Sequence, residues 1–289
     1  MHILDRCDLC GRSGPFIRLA AQVAATDRTL NWLGVSGSYT TVACLCGWIF
    51  KPGVLSSAQL AQLYGQDGGE ATVEAQAARL VRKRAEETYR LLNPQMERSS
   101  GSLRVLDVGG GIGQVSQAFA DHGYQVDILD FGHGAPLRPG MRMIRGSLSD
   151  LPADARYDVV LMSHVLEHVW SPRTDLSRVR ALLQPHGRLF VEVPFELYTP
   201  VVKRKLGDPH HVGYFTLRTL REFLRVSGFM PLRVYRYVGL YNERRVMTLR
   251  AIAAPGTAVK VAKRRPLGLP AALSSMVAPQ QLWHILRSR

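Results

Sequence analysis

Residues 103–113 read Leu-Arg-Val-Leu-Asp-Val-Gly-Gly-Gly-Ile-Gly, an apolar run with an acid near its end that passes straight into a glycine-rich turn. This junction constrains the fold more than any other stretch. A buried strand that breaks into consecutive glycines brings bare backbone N–H groups close to a polar ligand, which parallel-sheet domains do at the carboxyl ends of their strands. The turn points to a cofactor.

From Leu103 onward, strand and helix patterns alternate, the mark of a parallel sheet covered on both faces. The apolar runs place strands at 103–108, 125–130, 141–144, 157–162 and 187–193, with helices at 113–122, 172–183 and 216–227. Runs at 231–238 and 245–252 read as a closing antiparallel hairpin, so the expected fold is α/β, a seven-stranded, mostly parallel, doubly wound sheet. Upstream, 71–95 reads as a polar helix with an apolar stripe at Val73, Ala77, Leu80, Val81, Thr88, Leu91 and Leu92. It connects an N-terminal segment to the main domain, and the polar run 98–102 is the linker.

A chain of 289 residues, 46% hydrophobic, buries one full core and carries appendages besides. The expected division is a cysteine-rich module at 1–64, a helical connector and linker at 65–102, a catalytic domain at 103–254 and a basic tail at 255–289. The sequence has no apolar run of transmembrane length, and its N-terminus lacks the pattern of a secretory signal, so a soluble cytoplasmic protein is expected. The net charge of +14 is concentrated: residues 233–289 hold 11 Lys/Arg against Glu243 as the sole acid. Such a tail suits a phosphate-bearing acceptor, nucleic acid, an anionic membrane surface or a subunit contact; a solvated extension without a partner is the alternative.

All four cysteines lie near the N-terminus, in Cys7-Asp-Leu-Cys10-Gly and Cys44-Leu-Cys46-Gly. Two close pairs, each followed by glycine, resemble the knuckles of a zinc ribbon, in which turns aim four thiolates at one tetrahedral ion. The second pair has one intervening residue instead of two. Unligated buried thiols and a redox pair are the other readings.

The strand at 125–130 ends in Asp130, an acid placed to hold a ribose diol. The turn has glycines at 109, 110, 111 and 113 and glutamine at 114, which suits a nucleoside better than the pyrophosphate of a dinucleotide. With these residues in view, the chain resembles the class I S-adenosylmethionine-dependent methyltransferases. Val105 to Gly113 is similar to their first motif, Arg145 to Pro152 to the segment lining the adenine, Tyr157 to Val169 to their fourth strand and its loop, and Leu183 to Pro194 to their fifth strand. The resemblance implies S-adenosylmethionine contacts from Asp107, Gly109, Gly110, Gly111, Gly113, Asp130, Phe131, Ser147, Leu148, Ser163 and His164. It extends to a subgroup with a cysteine-rich N-terminal module, whose substrate-side loop and helix resemble Pro209 to Phe229. Several members of that subgroup methylate sugars, which implies a sugar, nucleotide sugar or glycosylated metabolite as the acceptor.

Methyl transfer needs an in-line approach to the sulfonium methyl and removal of one proton. Imidazoles titrate near neutrality, and His164, His168, His210 and His211 fall where the fold places the carboxyl ends of strands. His210, His211 and His168 are the candidate proton-transfer or orienting groups, with Tyr214 assisting by hydrogen bonding. His164 reads first as a backbone contact for the cofactor and second as a base, Glu167 and His168 as a loop-orienting pair, Tyr214 as a packing residue and Glu192 as a structural or solvated acid. A metal role for His164, Glu167 and His168 is the lesser reading, since cation-assisted O-methylation usually draws on more carboxylates. Two rival classes stand beside the small-molecule enzyme. One is a nucleic-acid methyltransferase, against which Ser163-His-Val-Leu replaces the Asn/Asp-Pro-Pro-Tyr/Phe tetrad of amino-methylating enzymes. The other is a non-catalytic scaffold, against which Asp107, the glycines and Asp130 are intact.

Overall fold

The apolar runs after Leu103 pair as the alternation requires. In the computed structural model, residues 5–23, 38–53, 58–59, 62, 75–93, 103–197, 206, 210–241 and 244–260 are described. Strands β4 (Arg104–Val108), β5 (Gln125–Asp130), β6 (Arg142–Arg145), β7 (Tyr157–Ser163) and β8 (Leu183–Pro194) run parallel. The hairpin β10 (Phe229–Tyr241) and β11 (Arg244–Pro255) closes one edge antiparallel, giving the order β10-β11-β8-β7-β4-β5-β6. The seven-stranded, mostly parallel sheet is the one expected from the sequence. Its central strands are apolar on both faces because helices cover both: Leu106, Val160, Leu189 and Val191 are among the fully buried residues. Each such side chain contributes about 1.5–3 kcal/mol by leaving water.

Among the described residues, four α-helices flank these strands. α1 (Ala75–Leu92) buries Ala85, Thr88 and Leu92, one helical face. α2 spans only Gln117–Asp121, later than the expected start at 113, because the turn after β4 continues through Ser116. α3 (Pro172–Leu182) is capped by Ser171, whose hydroxyl accepts from Thr174 N–H at 3.3 Å. α4 (Leu217–Val226) is capped by Thr216 and ends at Gly228, where φ is +85°.

The order of connections makes a switch point between β4 and β7. From β4 the chain winds outward through β5 and β6, then returns to β7 and winds the other way. Loops after β4 and β7 therefore diverge at their carboxyl ends and leave a crevice, where ligands bind in open α/β sheets.

A second sheet joins β1 (Ile17–Val23), β2 (Ser38–Ala43) and β3 (Ile49–Phe50) to β9 (Gly213–Tyr214), which comes from the far side of the chain. The cysteine-bearing segment is thus completed by a strand from the region expected to be catalytic. Trp48 stacks on Phe50 at 4.4 Å between ring centroids and meets Phe223 of α4 edge-on at 5.1 Å. Asp8, between Cys7 and Cys10, accepts from Ser171 Oγ (2.7 Å) and Arg173 N–H (2.8 Å), docking the first knuckle on the N-terminus of α3. Both sheets share one hydrophobic core. The helical stretch expected to end near Tyr64, the linker at 98–102 and the tail from 261 lie outside the described residues, apart from helical residues 58, 59 and 62.

Trp48 is fully buried between the N-terminal sheet and α4. Trp48→Ala is expected to lower stability by about 3–5 kcal/mol in a single cooperative urea transition followed by circular dichroism. A biphasic melt with the main transition unmoved would show that the N-terminal sheet folds independently.

Candidate functional site

The crevice at the switch point is a cleft of about 340 Å³ lined by Arg84, Asp107, Gly109, Gly110, Gly111, Ile112, Gln114, Val115, Ser163 and His164. The glycine turn forms its floor. Asp107 is buried and accepts from Ser116 Oγ at 2.7 Å. A Cβ on Gly110 would lie 2.5 Å from the Asp107 carboxyl carbon, so only glycine lets the turn fold over this acid. Gly111, at φ +58°, turns its N–H toward Asp130 Oδ2 at 2.8 Å. Gly132 N–H holds the other oxygen, also at 2.8 Å. The Asp130 carboxylate is therefore fixed in orientation at the end of β5 while remaining half-buried.

The opposite wall comes from the end of β7 and from α1. His164 has φ +57°, the sole non-glycine residue in the left-handed region among those described. Such backbone strain costs on the order of 1–3 kcal/mol and concentrates at functional loops. Its N–H is held by Glu192 O at 2.8 Å. Behind Ser163 stands a buried charge network: Glu192 accepts from Arg84 (2.8 Å), Arg250 Nε (3.0 Å), Thr248 Oγ1 (3.0 Å) and Ser163 Oγ (3.3 Å). Arg84 also donates to Ser163 Oγ. Two guanidinium groups around one carboxylate leave this wall positively biased, and Arg84 carries that bias to the cleft.

Past His164 the wall becomes a histidine cluster. His164 Nδ1 is 3.2 Å from Glu167 Oε1, and His168 Nε2 is 3.6 Å from the same oxygen. His211 packs edge-on to His168 at 4.9 Å between centroids, and its Nδ1 meets Glu196 Oε2 at 2.6 Å. The loop carrying His210 and His211 is tied down from both sides. Val212 and Gly213 N–H donate to Glu167 O at 2.6 and 3.0 Å, while the fully buried Lys51 amine donates to His211 O (2.6 Å) and to Tyr214 Oη.

In the turns beside the N-terminal sheet the four cysteine sulfurs converge. Cys7 and Cys46 sulfurs lie 3.5 Å apart, Cys10 and Cys44 3.6 Å, and all four within 4.8 Å. Those separations exceed a disulfide bond by far, and lie close to the ~3.8 Å edge of a tetrahedron with a metal–sulfur distance of ~2.3 Å.

A family described as a methyltransferase domain matches residues 74–234, more than half of the chain. A demethylmenaquinone methyltransferase of Beutenbergia cavernae is 31% identical over 163 residues, covering 48% of this chain and 68% of the relative. The chain belongs to the methyltransferase-domain family. It is an S-adenosylmethionine-dependent methyltransferase. A second demethylmenaquinone methyltransferase, from Renibacterium salmoninarum, is 37% identical over 94 residues, 30% of this chain and 40% of that one. The 1,6-didemethyltoxoflavin N1-methyltransferase of Burkholderia thailandensis, solved with 1,6-didemethyltoxoflavin and S-adenosylhomocysteine, shares the fold at a TM-score of 0.52 and 21% identity, over 75% of this chain and 96% of its own. The matched stretch spans 68% of the Beutenbergia cavernae relative and 40% of the Renibacterium salmoninarum one.

Of the residues expected to hold the methyltransferase's cofactor, Asp107, Gly109, Gly110, Gly111, Ser163 and His164 line one cleft. Asp130 and the exposed Phe131 stand at the next strand end, joined to the cleft through Gly111. Gly113 packs against Met141 and Ile128 beneath the turn. Ser147 and Leu148 open a short helical turn, Leu148–Asp150, after β6, with Ser147 in a capping box with Asp150. Of the candidate catalytic residues, His168 and His211 share the cluster, His210 contributes its carbonyl to His168 Nδ1 (2.9 Å), and Tyr214 is buried beneath the loop with its ring facing Lys51. Glu192 is the structural acid of the network already described. Sequence reasoning missed Arg84, Lys51 and Glu196. The position of Glu196 just past β8, at a strand's carboxyl end, was the signal available for it.

Three buried groups are shifted here. Desolvation pushes Asp107 from 3.8 up to about 6, against the Ser116 hydrogen bond. Desolvation also lowers His168, favouring its neutral form. For Glu167 burial acts upward, but the neighbouring imidazoles, His168 foremost, outweigh it and hold the carboxyl below its usual range. Asp107 gives a measurable sign. Its folded pKa is above its unfolded one, so folding binds a proton, and the stability it adds below pH 4 is lost as pH rises through 6. That loss is about 3 kcal/mol. Asp107→Asn is expected to flatten this slope in urea-unfolding free energies taken between pH 4 and 7; an unchanged slope would place the titration elsewhere.

Proposed function

We propose that this enzyme transfers the methyl group of S-adenosylmethionine to a small-molecule acceptor, most simply a hydroxyl or amine of a sugar, nucleotide sugar or glycosylated metabolite. The observation that carries the reading is the continuity of the cofactor cleft with the histidine cluster through His164. The electrostatics suit each part of the cofactor. Asp130 is oriented to receive the ribose diol, Arg84 presents a cation for the methionine carboxylate, and Gly109–Gly111 admit that end to the floor. Phe131, Ser147 and Leu148 would border the adenine.

His168, His210 and His211 form the acceptor side, with Glu196 and Lys51 fixing the loop and Tyr214 supporting it from beneath. Their work is to orient the acceptor's nucleophile in line with the methyl and sulfur and to provide for its proton. Cys7, Cys10, Cys44 and Cys46 would hold a structural zinc ion in the N-terminal module, which would use all four thiolates and serve the fold rather than the transfer. A module at 1–64 and a tail at 255–289 flank the catalytic part, the tail's positive charge favouring a phosphate-bearing acceptor. The name of the Beutenbergia cavernae relative, a demethylmenaquinone methyltransferase, supports a second reading, in which the acceptor is a demethylmenaquinone-like compound.

The test is a transfer assay with methyl-labelled S-adenosylmethionine over nucleotide sugars, glycosylated metabolites, quinols and RNA. Label is expected in the sugar-bearing compounds, with His211→Ala and His210→Ala each lowering turnover at least tenfold while leaving cofactor affinity within about twofold. Gly110→Ala is expected to do the reverse first, weakening S-adenosylmethionine binding at least tenfold in calorimetry because its Cβ meets Asp107. Label entering only RNA or only quinols would overturn the sugar reading.

A further inference from the structure

The corner where α4 ends and β10 begins carries three of the five large apolar side chains that are exposed among the described residues: Met230 (54% exposed), Leu232 (44%) and Val259 (39%). Their exposure is built into the backbone. The register of β10 against β11 slips between Pro231 and Arg233, which leaves Leu232 as the extra residue of a bulge, an irregularity that re-aims a side chain. After β11 the chain folds back over the helix end: Gly256 N–H donates to Gly228 O at 2.9 Å and Val259 N–H to Arg225 O at 3.1 Å. Gly256 packs so closely that a Cβ there would come within 3.0 Å of Met230 N. Val259 is thereby held on the same corner as Met230. Single exposed apolar residues are ordinary, whereas a group held together on fixed backbone marks a contact surface.

The same corner is basic. Arg225, Arg233 and Lys260 are exposed there. Arg225 meets Glu222 at 3.8 Å with 48% of its side chain still exposed, and Arg233 lies over the ring of Tyr235. Residues 223–289 hold 12 Lys/Arg against Glu243 as the sole acid, and Lys263-Arg264-Arg265 follow shortly after Lys260. Apolar side chains set among cations fit a partner that offers both an apolar phase and negative charge. A nucleic acid supplies the charge but no phase for Met230 and Leu232, and a second copy of the chain would bring like charges together. An anionic bilayer supplies both: apolar side chains enter the acyl boundary while Lys and Arg reach the headgroups.

We propose that this corner, formed by Met230, Leu232, Val259, Arg225, Arg233 and Lys260, docks the protein on an anionic lipid bilayer. The strand register fixes what docking leaves open. β11 pairs Thr248 with Pro194 at the carboxyl end of β8 and Ala253 with Leu189 further down, so the corner at Phe229 and Pro255 lies toward the amino ends of the parallel strands. The cofactor cleft is at the other end, where β4 and β7 finish. A docked molecule turns its cleft away from the bilayer. The surface anchors the enzyme and does not gate the cleft, so it is independent of which acceptor is methylated.

The experiment is flotation of the full-length protein with vesicles of phosphatidylcholine and phosphatidylglycerol in a two-to-one ratio, against vesicles of phosphatidylcholine alone. Partition onto the anionic vesicles is expected to be at least tenfold stronger and to weaken as salt is raised. The exposed-site variants Met230→Ser/Leu232→Ser and Arg225→Gln/Arg233→Gln/Lys260→Gln are each expected to lower it at least tenfold, with circular dichroism and S-adenosylmethionine affinity unchanged. Hydrogen exchange on the wild type, which needs no variant, is expected to slow over residues 229–232 and 256–260 when anionic vesicles are added. Folded variants that float as the wild type does would place the attachment in tail charge alone and overturn the proposal. So would exchange at those residues indifferent to vesicles, or a dimer in sedimentation velocity that Met230→Ser/Leu232→Ser abolishes while leaving flotation intact. None of these readouts involves methyl transfer, so failure of the docking surface and failure of the acceptor reading are separable.

Discussion

The amine of Lys51 ties the two halves of this molecule at the point where chemistry is expected. It comes from the end of the N-terminal sheet, is fully buried, and donates to His211 O and to Tyr214 Oη, residues more than 150 positions away in sequence. A buried ammonium is tolerated only where its hydrogens are taken up, so its position dictates that of the acceptors. Around it the backbone of Lys51 donates to Val212 O at 2.8 Å, and β3 pairs with β9. The cysteine-bearing sheet is in this way the scaffold of the histidine loop.

On the other side of the crevice the constraint is the turn after β4. Asp107 occupies the space beneath Gly110, and Asp130 is held by two backbone N–H groups, so the protein's own contacts fix the shape and charge of the cofactor cleft. The Arg84–Glu192–Arg250 network adds a rigid cationic wall built from α1, β8 and β11. The histidine cluster lies between turn and loop, and inherits rigidity from both.

The sheet was legible because its strands are continuous apolar runs ended by glycine or acid, a pattern that buried parallel strands impose. Residues 125–130 read from sequence are β5 as observed. The helix expected at 113 starts at Gln117 because the glycines prolong the turn, a local effect that periodicity does not register. The floor of the cleft was legible for the same reason as the sheet, its residues being contiguous. Arg84, Lys51 and Glu196 were not, since each reaches the site through tertiary pairing: Arg84 meets Glu192 across 108 positions, and Lys51 meets Tyr214 across 163. Nothing in the neighbourhood of Arg84 distinguishes it from the other arginines of α1, among them Arg79 and Arg82.

The strand β9 has a consequence for how the chain acquires its structure. Its two residues close a sheet whose other strands precede the catalytic sheet, so the N-terminal sheet stays open at one edge until Gly213 and Tyr214 have been made and set in place. Such non-local closure is slow, and an exposed strand edge waits on it. During synthesis the cysteine knuckles emerge first, yet their sheet finishes among the last, after β4 to β8 have had time to associate. The two sheets are thereby coupled: the residues that follow His211 are the ones that close the N-terminal edge, so the path of the histidine loop and the completion of that sheet depend on each other.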